Sequence, residues 1–286
     1  MKRKVLVGDG AMGTTLQIKG LNPGGCSEEW NLTHAEVVKQ IYSDYYRAGS
    51  DFVETNTFGG SAIALEKYGF KDRVYEFNYA SAMLARSVCP SGKFVAGSIG
   101  PTGEFIEPLG KYSFSQMKEV FREQVNALIE GGIDLIIIET MMDLNEAVAA
   151  ISAVKEQSRV PVAATMTFEL RGKRFKTMMG YSIREAVRGL EEAGADILGT
   201  NCGSGIEDVI LIIEEMRSYT DKPLLAQPNA GIPELVDSKT VYRDTPEKIS
   251  SLVPELIKAG ANIVGGCCGT AYSHIRMIRK VVDNLG

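Results

Sequence analysis

The sequence has no long apolar run, no basic tract, only two histidines, one tryptophan, and a small, odd number of cysteines. Apolar runs such as Leu135–Ile138 fall far short of the roughly 20 residues needed to span a bilayer. The opening Met1-Lys2-Arg3-Lys4-Val5 is basic, but Asp9 follows before any apolar segment that a secretory leader would need. The reading is therefore of a cytoplasmic protein with no membrane partner. Lys and Arg total 31 against 36 Asp and Glu, a net charge of −5, and no basic patch offers a footprint for nucleic acid. His34 and His274 stand in neither an H-x-x-x-H nor an H-E-x-x-H pattern, and both are expected at solvated helix positions. Five cysteines in 286 residues make poor material for a disulfide framework. With 10 prolines and 30 glycines, collagen-like and disordered classes are also excluded.

What is present is alternation. Short β-branched apolar runs at Val5–Val7, Phe52–Thr55, Phe94–Ser98, Leu135–Glu139, Val162–Met166, Ile197–Asn201, Leu224–Gln227 and Ile263–Gly265 read as eight strands. Helical periodicity follows each, over 34–48, 74–88, 113–130, 143–157, 182–193, 206–219, 246–259 and 272–284. Strands apolar on both faces and alternating with helices indicate a parallel sheet covered outside by helices. Eight units in one chain fit a (β/α)8 TIM barrel, an α/β fold, as a single domain over residues 1–286. Thr33 and Asp143, each three residues before a glutamate, are expected N-caps. The steps Ala48-Gly49-Ser50-Asp51, Gly131-Gly132-Ile133-Asp134, Ala193-Gly194-Ala195-Asp196 and Ala259-Gly260-Ala261-Asn262 repeat a helix stop in which glycine takes a positive φ.

In such folds the functional residues follow the C-terminal ends of the strands. Three of the five cysteines, Cys202, Cys267 and Cys268, occupy such positions and are flanked by glycine. Neighbouring side chains on a regular strand face opposite ways, but Gly265-Gly266 and Gly269 free the backbone to turn both Cys267 and Cys268 to one side. Three thiolates from two strand ends suit Zn²⁺, with Zn–S distances of roughly 2.3 Å and a fourth position open to substrate. Three thiolates and Zn²⁺ sum to a charge of −1. The expected role is therefore to bind a substrate thiol in deprotonated, nucleophilic form rather than to act as a strong Lewis acid. Burial of the thiols as small apolar groups, or a 267–268 disulfide, are the plainer alternatives. Cys26 and Cys89 are read as packing residues.

Asp9 and Glu139 end apolar strands. Each reads equally as a carboxylate receiving helix N–H groups or as half of an anion pair for an ammonium group. The turn at Gly10-Ala11 would offer backbone N–H groups to a carboxylate. Gly8-Asp9-Gly10-Ala11-Met12-Gly13 also satisfies G-x-G-x-x-G. A continuous helix should follow that fingerprint, yet Gly20, Pro23, Gly24 and Gly25 interrupt the segment, which speaks against a dinucleotide site.

The segments Asp9–Thr14, Thr55-Asn56-Thr57-Phe58, Gly100-Pro101-Thr102-Gly103, Glu139-Thr140, Asn201-Cys202, Pro228-Asn229-Ala230-Gly231 and Gly265–Thr270 together resemble the homocysteine S-methyltransferase family. Ile99–Glu104 and Pro108-Leu109-Gly110 look most like the N-terminal homocysteine domain of cobalamin-dependent methionine synthase. The resemblance implies a (β/α)8 barrel with zinc on Cys202, Cys267 and Cys268. It implies that Asp9 and Glu139 hold the homocysteine amino group, that Gly10-Ala11 receives its carboxylate, and that Thr55 and Ser98 line the pocket. Asn229, beside the metal, would offer an oxygen to it in the absence of substrate.

No Asp-x-His-x-x-Gly stretch, the usual corrinoid-ligating pattern, occurs, and the chain stops after its eighth helix. The expected methyl donor is therefore a separate methyl-corrinoid protein carrying methylcobalamin, with methionine as product. Two alternatives stand beside it. One is the same site working with S-methylmethionine, betaine or S-adenosylmethionine as donor, or with another thiol as acceptor. The other is a homocysteine-binding subunit that is silent without its partner chain.

Overall fold

A computed structural model of the protein describes residues 5–236 and 239–285. Eight strands form one parallel sheet: β1 (Leu6–Val7), β2 (Phe52–Glu54), β3 (Phe94–Ile99), β4 (Leu135–Met141), β5 (Val162–Met166), β6 (Ile197–Asn201), β7 (Leu224–Gln227) and β8 (Ile263–Val264). They run in ring order β1-β8-β7-β6-β5-β4-β3-β2. This is the expected TIM barrel. The main helices are α1 (Ala35–Ala48), α2 (Val74–Val88), α3 (Phe114–Glu130), α4 (Leu144–Gln157), α5 (Ile183–Glu192), α6 (Ile206–Arg217), α7 (Pro246–Ala259) and α8 (Tyr272–Leu285). None of the described helices is long and apolar enough to cross a membrane.

The ring closes between β1 and β2 by one backbone bond and two aspartate side chains in place of a regular ladder. Asp51 donates its N–H to the Val7 carbonyl, and its Oδ2 accepts the Val7 N–H at 2.9 Å. One step further along, the Glu54 N–H donates to Asp9 Oδ2, also at 2.9 Å. Two aspartates thus satisfy backbone groups that a β1–β2 ladder would otherwise pair.

Inside the barrel, the period-2 rule orders the side chains by depth. Phe52, Ala96, Ile137, Ala163, Leu225 and Ile263 form one buried apolar layer. Two residues further along five of those strands stand Glu54, Ser98, Glu139, Thr165 and Gln227, which bring polar groups to the upper layer. An apolar floor therefore carries a polar ring, set by strand geometry alone.

Ser113 and Ser182 close capping boxes on α3 and α5, and Asp143 caps α4 by accepting the Asn145 N–H. Gly49, Gly132, Gly194 and Gly260 take φ values of 111°, 86°, 96° and 121°, as their role after helices requires. Thr33 departs from expectation. It lies in a short helix, Trp30–Thr33, and its hydroxyl donates to the Glu29 carbonyl, so it caps nothing. Glu146 likewise turns away from Asp143 and accepts from the Thr102 N–H and hydroxyl. The segments that periodicity does not reveal are all on the C-terminal side of the barrel. They include the helices Met12–Ile18 and Ala62–Glu66, the hairpin Glu169–Arg171/Arg174–Lys176, and the hairpin Glu234–Val236/Lys239–Val241.

Candidate functional site

The three rim cysteines meet. Their sulfurs all lie within 4.8 Å of one another, with Cys202 Sγ and Cys268 Sγ 4.0 Å apart. Cys202 takes a left-handed backbone, φ 57°, which costs a residue with a Cβ and persists only where surrounding contacts hold it. Those contacts are present: Cys202 N–H donates to the Gln227 carbonyl, and the Ser204 N–H donates back to the Cys202 carbonyl. On the other side of β7, Cys267 N–H donates to the Pro228 carbonyl and the Cys268 carbonyl accepts the Ala230 N–H. Two strand ends and the segment after β7 therefore fix the sulfurs through the main chain.

The three thiols are a group that could hold a metal ion, and their electrostatics favour a cation among them. Hydrogen bonds from Cys267 and Cys268 pull the Cys202 thiol down to about 3. The contact with Cys202, together with burial, pushes Cys268 up to about 11, and the contacts with Cys202 and Cys268 push Cys267 well above its ordinary value. One thiolate forms readily, whereas the second and third need a positive charge among them. A tetrahedral Zn²⁺ with Zn–S of ~2.3 Å places its sulfurs ~3.8 Å apart, close to the separation seen here. Asn229, buried beside Cys202, has an Oδ1 with no hydrogen-bond partner. The donor set fits the metal that the sequence suggests.

Next to the sulfurs are three buried carboxyl groups. Asp9, Glu54 and Glu139 line one cavity of about 250 Å³ together with Cys202, Cys267 and Cys268. Burial raises Asp9 above the ordinary carboxylate range, and the charge of Glu139 adds to that rise. Burial also raises Glu54, followed by repulsion from Glu139 and Asp9. Burial raises Glu139 too, with hydrogen bonds from Glu54 and Ser98 opposing it. Ser98 Oγ donates to Glu139 Oε1 at 2.5 Å, and Asn201 Nδ2 donates to Oε2 at 3.1 Å.

Asn201 is the link between the two halves of the site. Besides Glu139, its amide reaches Thr140 Oγ1 at 2.8 Å and Cys267 Sγ at 3.8 Å. Its Oδ1 accepts from the Thr140 N–H and the Thr165 hydroxyl. Thr140 itself sits at φ 60°, so the ends of β4 and β6 are both strained where they approach the cavity.

Of the residues singled out in the sequence, Asp9, Gly10, Ala11, Thr55, Ser98, Glu139 and the three cysteines line the cavity. Asn229 lies behind them, against Cys202. Ala11 N–H donates to Thr270 Oγ1 at 3.2 Å, so that turn is already tied to β8. Thr55 Oγ1 accepts the Ser98 N–H at 3.0 Å and bonds Thr57 Oγ1 at 2.6 Å. Glu54, Gln227 and Asn201 stand at strand ends, where functional residues are expected, but the sequence assigns them no role, and Tyr242, whose hydroxyl bonds Cys268, is not anticipated at all. The alternation along the strands carried the signal for the first three, whereas Tyr242, in the loop after β7, had none.

Three further readings are resolved. His274 is buried rather than solvated: its Nδ1 accepts the Ala271 N–H, and its Nε2 pairs with the Asp244 carbonyl. His34 is exposed and stacks on Trp30. After the G-x-G-x-x-G stretch the helix lasts only seven residues, and Glu28 is turned to the Gly59 N–H at 2.7 Å. Cys26 is buried against Glu28, which with burial pushes its thiol up to about 12, and Cys89 stands half-buried at the end of α2.

A family model described as homocysteine S-methyltransferase matches residues 6–282. The methionine synthase of Mycobacterium tuberculosis (strain ATCC 25618 / H37Rv) is 32% identical over 305 aligned positions, covering 100% of this chain and 25% of its own. That of Mycobacterium leprae (strain TN) is 32% identical over 302 positions, covering 99% of this chain and 24% of its own. The chain thus spans about a quarter of the length of these curated relatives. Among solved structures, the metallated form of the homocysteine methyltransferase MmuM from Escherichia coli superposes with a TM-score of 0.81. It shares 24% identity and covers 98% of this chain and 96% of that one, a likeness of fold.

Proposed function

The chain belongs to the homocysteine S-methyltransferase family, and from that premise we propose that it is a zinc-dependent methyltransferase converting homocysteine to methionine. The observation that carries this reading is the shared cavity of three thiols and three carboxyl groups. A thiol-binding metal set and an ammonium-binding acid set lie within the length of one small amino acid. Cys202, Cys267 and Cys268 would hold the zinc, which when bound supplies acidification of a thiol at neutral pH.

The chain's own residues do the rest. Asp9 and Glu139 take the ammonium group, and the turn at Gly10-Ala11 receives its carboxylate, with Thr55 and Ser98 along the wall. Asn229 Oδ1, unpartnered in the structure, offers an oxygen where the metal would otherwise lack a fourth donor. Fixing both ends of the acceptor aligns its sulfur for in-line attack on a methyl carbon, and the buried floor excludes water. The sulfur lone pair forms the new S–C bond while the methyl–donor bond breaks, and the donor group leaves with that bonding pair.

The donor in this reading is a methyl-corrinoid protein. It is supported by 32% identity along the whole chain to methionine synthases. A donor panel with homocysteine, read by methionine formation, tests it. Methylcobalamin or a methyl-corrinoid protein should support turnover. Turnover with S-methylmethionine, betaine or S-adenosylmethionine alone would transfer the assignment to that donor. Silence with every donor, in a protein that still binds zinc and homocysteine, would leave a binding subunit.

A further inference from the structure

The cavity holds three carboxyl groups and, among the described residues, is lined by no lysine or arginine. Asp9 and Glu139 already serve protein donors: Asp9 Oδ2 accepts the Glu54 N–H, and Glu139 accepts from Ser98 and Asn201. Glu54 is different in kind. Its side-chain partners are Gln227, whose Nε2 donates to Oε1 at 2.6 Å, and Glu139. Gln227 in turn is 3% exposed, lines the cavity, and has an Oε1 with no hydrogen-bond partner. Buried acceptors in native structures are almost always satisfied, and an acid group without a cation nearby is costly to ionise. Both defects face the cavity from the ends of β2 and β7, joined by the Gln227–Glu54 hydrogen bond, and a single ammonium group from a ligand would repair both.

We infer that Glu54 and Gln227 form a specificity wall that selects thiols bearing a free primary ammonium group and rejects neutral or acylated thiols. The inference rests on the homocysteine reading above and extends it. The three N–H groups of the ammonium go to the Glu54 carboxyl group, to Gln227 Oε1 and to the Asp9–Glu139 pair. Gln227 holds Glu54 in place through its Nε2, so the pair acts as one unit.

Calorimetry on the zinc-loaded protein tests this with two probes, homocysteine and 4-mercaptobutanoate, which is the same chain without the amino group. The wild type should prefer homocysteine. Glu54→Gln, which keeps the shape, should weaken homocysteine binding roughly 10- to 100-fold, the range for a hydrogen bond to a charged group. Binding of 4-mercaptobutanoate and zinc content should be unchanged. Gln227→Met should act in the same direction, and it decides the matter if Glu54→Gln does not fold. An equal loss for both thiols, or no loss for either, would overturn the specificity wall while the homocysteine reading stands. A wild type that binds neither thiol would overturn both.

Discussion

Cys202 shows how much a single residue can be asked to bear. It accepts a left-handed backbone so that its sulfur meets two others 65 and 66 positions away along the chain. Cys267→Ser should drop zinc from near one per chain to well below that, as metal analysis would report. Full occupancy in the mutant would exclude a three-thiol site. Asp9→Asn tests the acid set without dismantling the seam, because the new amide oxygen can still accept the Glu54 N–H. Homocysteine affinity should fall about tenfold or more while the melting temperature stays near that of wild type. The thiols were legible in the sequence because cysteine between glycines at a strand end is rare chemistry. Glu54 stands at a strand end, but the sequence gives it no role, because an acid there is common and its meaning depends on Glu139 and Gln227 standing opposite. His274 was misread because a polar residue near a helix start usually faces water, and nothing local announces that the Asp244 segment folds over it.

Elements explain where precision comes from. Five of the eight strands carry an apolar residue at the floor and a polar one two positions on, so depth in the barrel follows from the backbone period. Helices hold those strands in register, and their caps are separable from the site. Ser182→Ala breaks the capping box of α5 and should cost about 1 kcal/mol in denaturant unfolding, leaving homocysteine affinity unchanged. The turn after β8 is the opposite case. Gly269 has φ 79°, and a Cβ there would lie 2.2 Å from Tyr242 Cγ. Gly269→Ala should therefore displace the loop that carries Tyr242 against Cys268 and weaken zinc retention against a chelator, measured alongside melting temperature. Strands and main helices were legible to within about two residues because long periodic segments average out local noise. The rim hairpins and short helices were not, since three to seven residues carry no period.

At the scale of the whole molecule, the barrel depends on how its first and second strands are joined. Asp51 binds the Val7 N–H, Lys93 Nζ at 2.7 Å and Arg279 Nη1 at 2.9 Å, so it ties β1, β3 and α8 to the seam. Burial pushes its carboxyl group up, but the Lys93 hydrogen bond, the Val7 N–H and the two cations outweigh burial and hold it below the ordinary value. A carboxylate with a depressed folded pKa adds stability that is complete above its unfolded pKa of about 3.9 and is lost as pH falls through the folded value. Asp51→Asn should therefore cost about 2–3 kcal/mol at neutral pH, and the gap to wild type should close below about pH 4. Unfolding curves at several pH values would show a constant gap if Asp51 were not the clamp.

The sequence by itself determined the eightfold alternation, the glycine stops after helices and the three glycine-flanked thiols, because period and backbone freedom are written in neighbouring residues. Only the tertiary structure decided that Glu54 faces Glu139, that Gln227 is left with an open acceptor, that Asn201 joins the acids to the sulfurs, and that two aspartates close the ring. Those relations arise when β1 and β2 meet, and closure brings together residues whose separation along the chain says nothing of their separation in space.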